Sequence, residues 1–168
     1  MLILNFKTDS AAPIDGELVL PFELREKCRF RTQLVSGEEV GIFTERGTVL
    51  RDGDLLKGDD GRIIRVVAQE EPVYRIECAS LHALMRCAFH LGNRHTPTQL
   101  CNADDRSFLR IRKDQVLKEM LQGLEATVTD ELAPFNPEAG AYGGGHHHNP
   151  LAPVPERTRI HRPSDVNP

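Results

Sequence analysis

Between Met1 and about Ala68 the apolar positions come in short alternating or β-branched runs, each closed by a turn signal. Leu2-Ile3-Leu4 leads into Ala12-Pro13 and Asp15-Gly16; Cys28, Phe30, Thr32 and Leu34 alternate with polar residues before Ser36-Gly37; Val40, Ile42 and Phe43 precede Arg46-Gly47. Thr48-Val49-Leu50, Asp54-Leu55-Leu56 and Ile63 to Val67 follow, separated by Asp52-Gly53 and Asp60-Gly61. Alternation with period two places side chains on opposite faces of a strand, and turns at intervals of about eight to twelve residues leave little room for helices. Residues 1–72 are therefore expected to form an all-β domain, a small sandwich or barrel.

The period then changes. Val73 to Cys78 reads as a strand, and Ser80 is placed to cap a helix whose apolar face would be Leu81, Leu84, Met85, Ala88 and Phe89, with Gly92 as its C-terminal stop. Gln99 to Cys101 and Phe108 to Ile111 read as two strands. Asp114 caps a second helix carrying Val116, Leu117, Met120, Leu121 and Leu124, and Ala126 to Leu132 closes with a strand. The order β-α-β-β-α-β within residues 73–145 predicts a ferredoxin-like domain, so the chain is α+β overall. Residues 146–168 contain five prolines and few sizeable apolar groups. Such a stretch buries too little surface to offset its ordering entropy, which predicts a flexible His/Pro-containing tail.

Composition narrows the function. The chain of 168 residues has a net charge of −4 and no Trp, which argues against nucleic acid as partner. Acidity concentrates in residues 1–72, with fourteen Asp/Glu against ten Lys/Arg. No apolar run is long enough to span a membrane, and the start MLILNFKTDS lacks the features of a signal peptide, so the expected compartment is the cytoplasm. The four cysteines, Cys28, Cys78, Cys87 and Cys101, form no C-x-x-C and are expected to be reduced thiols acting as small hydrophobes. No G-x-S-x-G, phosphate-cradling Gly-rich loop or H-E-x-x-H is present, and no enzyme reading is supported.

Histidine carries the remaining chemistry. His146, His147 and His148 follow directly on Gly143 to Gly145, and imidazole suits Ni, Cu and Zn, so the run is a candidate metal ligand set on a pliable hinge. His95 sits in HLGNRH just after the first predicted helix, where Gly92 and Asn93 let the chain turn and hold the ring outward. One imidazole cannot complete a metal site. A two-fold dimer would bring two copies of His95 together at its axis. His82 is placed on the polar face of its helix, His90 near the helix end as a structural group, and His161 alone in the tail.

Three stretches, HLGNRHTP from His90, LRIRKDQVLKEMLQGLEATV from Leu109 and APFNPEAGAYGGGHHH from Ala133, together resemble the UreE family of urease accessory proteins. The resemblance covers residues 1 to 148. It implies a homodimeric nickel metallochaperone with a peptide-binding-like N-terminal domain. In the family the histidine of GNRH, here His95, meets its symmetry mate to hold one Ni(II), and the His-rich C-terminus, here His146, His147 and His148, adds ligands. It also implies handover of Ni(II) to the urease assembly complex, with the accessory GTPase and the urease apoprotein as partners. Zn(II) or Cu(II) are the other ions such a site takes. Where many relatives read D-H-V-L, this chain has Asp114-Gln115-Val116-Leu117, so a secondary site through that position is missing its histidine. The competing reading is a protein-interaction module that binds no metal, or a general divalent-metal binder.

Overall fold

The computed structural model describes residues 1–9, 12–103 and 105–139. Ten strands and three helices are found among them. The N-terminal half supplies β1 (Leu2–Thr8), β2 (Gly16–Leu20), a one-turn helix α1 (Phe22–Arg25), β3 (Arg29–Gln33), β4 (Glu39–Phe43), β5 (Leu55–Gly58) and β6 (Ile63–Ala68). These strands form one six-stranded sheet in the order β2-β6-β5-β1-β4-β3. The pairs β1/β4 and β2/β6 are parallel, whereas β1/β5, β3/β4 and β5/β6 are antiparallel. Its two outer strands approach each other, because Val35, just beyond β3, donates its N–H to the carbonyl of Glu17 on β2 at 3.0 Å. The sheet thus curls on itself around Leu4, Leu18, Leu20, Val40, Ile42, Leu56, Ile64 and Val66.

The mostly β character of this half follows the alternation in the sequence, with one correction. Thr48-Val49-Leu50 is not a strand. Leu50 is fully buried, but its backbone N–H goes to the carbonyl of Arg25 and its own carbonyl accepts from the Arg25 guanidinium. Burial without a ladder partner looks the same in sequence as a strand.

The second half supplies β7 (Glu70–Glu77), α2 (Leu81–Gly92), β8 (Thr98–Ala103), β9 (Arg106–Arg112), α3 (Gln115–Gly123) and β10 (Thr127–Pro134). The sheet order is β10-β7-β9-β8, and every pairing is antiparallel. Ser80 and Asp114 do cap the two helices, accepting from the N–H groups of Ala83 and Leu117 at 3.2 and 2.9 Å. Both helices pack on the sheet face that presents Tyr74, Ile76, Leu109 and Ile111. This half is a mixed α/β domain.

The two sheets share a small apolar cluster of Phe22, Val73, Ala133 and Phe135, in which Phe22 meets Phe135 edge-on at 5.3 Å. Arg25, fully buried, bolts the same junction. Its guanidinium donates to the carbonyls of Leu20, Leu50 and Phe135 and to Oδ1 of Asn136. Burial pushes its pKa down from the ordinary arginine value, opposed by Glu71 and Asp52. A buried charge left without partners would be strongly destabilising, so four acceptors on one guanidinium are what make this placement tolerable.

Candidate metal centre at the end of helix α2

Helix α2 turns out to have two apolar faces. Leu84, Cys87 and Leu91 point into the core, while Leu81, Met85 and Phe89 remain 66, 56 and 64% exposed. The face expected from sequence to be buried is thus corrected. Only Leu84 of the long apolar residues named on it is buried, because i, i+3 and i+7 spacing through Cys87 and Leu91 faces the sheet instead. Leu81, Met85 and Phe89 succeed one another at four-residue intervals as a stripe. Leu81 and Met85, with Leu100 on β8, 59% exposed, border a shallow groove of about 380 Å³. On α3, Val116 is likewise exposed rather than packed.

The stripe runs toward the end of the helix that carries His95. Gly92 is still helical, and the C-terminal cap falls on Asn93, so the stop comes later than the glycine suggested. The chain reverses at His95 itself, whose φ is 52°. Thr96 donates to the carbonyl of Leu91 at 3.1 Å and His95 to that of Gly92 at 2.9 Å. These nested bonds form a Schellman motif with His95 at the position glycine usually takes. A side chain with a Cβ is disfavoured there by about 1–2 kcal/mol. Arg94 donates to the carbonyl of His90 at 3.1 Å and satisfies another open carbonyl of the last turn.

The imidazole is exposed. It borders a cleft of about 420 Å³ with Arg94, Thr96, Pro97, Arg112, Lys113, Asp114 and Leu117. Gln115, on the first turn of α3 behind that cleft, spends its amide on Glu119 at 2.9 Å. Among the described residues no three His, Cys, Asp or Glu side chains come together as a metal site. His95 is not joined there by His82, which is exposed on α2, or by His90, half-buried and edge-on to Phe89 at 5.5 Å. His146, His147, His148 and His161 lie outside the described residues.

What sequence reasoning missed is where the chain leads after β10. Residues 135–138 are pinned in place. Arg25 holds Phe135 and Asn136, Arg51 donates to the carbonyl of Pro137, Asn136 donates to Oε1 of Gln99 at 3.0 Å, and Glu138 donates to the carbonyl of Thr98 at 2.8 Å. Thr98 is three positions from His95. Among the described residues Glu138 is the last held by such a bond, and its partner Thr98 opens the strand that follows the His95 loop. No local signal reveals this, because each contact joins residues distant in sequence.

A curled β domain joined to a mixed α/β domain is the two-domain build of an accessory-protein family rather than of an enzyme. Residues 3–69 match the family model for the UreE urease accessory protein, N-terminal domain, and residues 71–162 that for its C-terminal domain. The chain belongs to the UreE family of urease accessory proteins. It is 62% identical to a urease accessory protein UreE of Janthinobacterium sp. (strain Marseille), over 98% of both chains. It is 58% identical to one from Nitrosospira multiformis, over 99% of this chain and 98% of the relative. To one from Ectopseudomonas mendocina it is 50% identical, over 87% and 86%. No helix among the described residues is long and apolar enough to cross a membrane.

Proposed function

We propose that this chain is a cytoplasmic carrier of nickel that binds Ni(II) through His95 and delivers it to the urease assembly complex, with the accessory GTPase and the urease apoprotein as partners. The observation that carries the reading is the exposed imidazole of His95 at a glycine position of the α2 terminus. The reversal turns the imidazole outward at the end of an unpartnered apolar stripe, where its nitrogens are open to an ion.

One imidazole leaves most of a coordination sphere open. We assign the second to the same residue of another copy, in a homodimer whose interface is the stripe of Leu81, Met85 and Phe89 with Leu100. That stripe leads directly to the His95 loop, so burying it against its own two-fold mate brings the two imidazoles toward one axis. His146, His147 and His148 supply further ligands. We further divide the chain at 1–72, 73–145 and 146–168 and place the middle domain in the ferredoxin-like class, supported by the antiparallel order β10-β7-β9-β8 under two helices. Nitrogen donors hold Cu(II) more tightly than Ni(II), so copper, and zinc to a lesser degree, compete for the same ligands.

The test is a nickel titration with mass measurement on three proteins: the intact chain, His95→Ala, and a chain stopped at Gly145. His95→Ala is expected to remove the tightest site, and the truncation to weaken it while leaving the dimer. Equal binding by all three would refute the assignment. Affinity is expected to fall between about pH 7.5 and 5, since histidine in water titrates near 6.5 and imidazolium does not coordinate.

A further inference from the structure

Two of the four free thiols face each other. Cys78 follows the last residue of β7, Cys87 lies on the core face of α2, and their sulfurs are 3.8 Å apart. The two differ in access. Cys87 is fully buried, whereas Cys78 is half-buried and opens onto a cleft of about 730 Å³ bordered by Glu77, Ser80, Leu84, Arg106 and Glu125. That volume accommodates a small organic molecule. Burial, and then the neighbouring Cys78, push the Cys87 thiol up to about 11. An accessible thiol backed by a buried one within reach is an arrangement for thiol–disulfide exchange, in which the exposed sulfur reacts first and the buried one resolves.

We propose that Cys78 is a modification site for low-molecular-weight disulfides of the glutathione type, with Cys87 as its resolving thiol. The Cys78 thiolate attacks one sulfur of the reagent, forming a mixed disulfide and releasing one reagent thiol, which takes up the proton Cys78 gave. Cys87 then loses its proton and attacks the Cys78 sulfur. The second reagent thiol leaves with that proton, and a Cys78–Cys87 bond remains. Two protein thiols are oxidised, and the reagent disulfide is reduced to two thiols. Closing the bond requires the sulfurs to approach by about 1.8 Å. Because Cys87 holds its proton tightly, the second step is the slow one and accelerates with rising pH.

The reduced full-length chain, freed of reductant, is incubated with oxidised glutathione and followed by intact mass and tryptic mapping under non-reducing conditions. Arg86 separates the two cysteines into different peptides, so a bond between them is directly visible. The expected product has lost two hydrogens, links the peptides of Cys78 and Cys87, and leaves Cys28 and Cys101 open to alkylation. In Cys87→Ser a single glutathione is expected to stay on Cys78. In Cys78→Ser, glutathione is expected to add to Cys87 about tenfold or more slowly than it adds to Cys78 in Cys87→Ser. Three results would overturn the proposal: four alkylatable thiols remaining in the unmutated chain, modification of Cys28 or Cys101 ahead of Cys78, or a Cys87→Ser chain that accumulates no adduct at Cys78. The first two need no variant, so they decide the matter even where a substitution impairs folding.

Discussion

Helices α2 and α3 both end on a residue of positive φ that is not glycine, His95 at 52° and Glu125 at 64°. The hydrogen bonds repeat as well. Thr96 to Leu91 and His95 to Gly92 at the first end correspond to Ala126 to Leu121 and Glu125 to Gln122 at the second. Both side chains are exposed. Beyond Glu125 a single residue, the buried Ala126, precedes β10, and eight residue pairs with β7 hold the reversal in place. Beyond His95 it crosses Thr96 and Pro97 before β8 begins. The backbone at the two ends is the same, so strain alone does not mark a site. What sets His95 apart is a metal-ligating ring, an unpartnered apolar stripe leading to it, and a following strand to which Glu138 is bonded.

The sharpest way to break this comparison is to remove each side chain in turn. His95→Ala is expected to weaken nickel binding by about a hundredfold, the upper end of what even outer-shell losses produce, while Glu125→Ala leaves it unchanged. An isothermal titration of both variants decides it. Glycine at either position relieves the same backbone strain, partly offset by the greater freedom of the unfolded chain. His95→Gly and Glu125→Gly should therefore each gain about 0.5–1 kcal/mol in urea unfolding, with only the first losing metal. If His95→Gly were less stable than the unmutated chain, the imidazole would have a structural role.

An effect of similar size, but dependent on pH, separates the strands that follow the two ends. Glu131 on β10 receives two hydrogen bonds from Arg110, at 2.7 and 2.8 Å, and these hold its pKa below the usual glutamate value. Stability from this pair is fully present above the unfolded pKa near 4.5 and is lost as pH falls below it. Glu131→Gln should destabilise by about 0.5–1 kcal/mol at pH 7, with the difference from the unmutated chain shrinking toward pH 3. Paired unfolding curves across that range test the sign.

The caps at Ser80 and Asp114 were legible in the sequence because each bonds a backbone N–H only three residues away. The exposed position of His95 was legible for the same local reason, although the glycine expected to make the turn is helical and the histidine makes it instead. Which face of α2 meets the sheet was not legible. Leu81, Met85 and Phe89 are as apolar as Leu84, Cys87 and Leu91, and periodicity cannot tell a core face from a face kept for a partner. The Cys78–Cys87 approach gave no spacing motif, since a strand end and a helix bring the two together. Nor did Arg25 stand out, because its acceptors lie up to 111 positions away.

That last separation has a consequence for how the chain is made. Synthesis is vectorial, and at roughly 5–20 residues per second the carbonyl of Phe135 appears roughly 5–20 s after Arg25. Until then the curled sheet can assemble around its aliphatic interior, but a guanidinium meant for its floor has lost half its acceptors and is better left in water. The N-terminal half of a nascent chain is thus complete in topology before it is complete in chemistry. The segment that finishes it emerges ten residues ahead of His146.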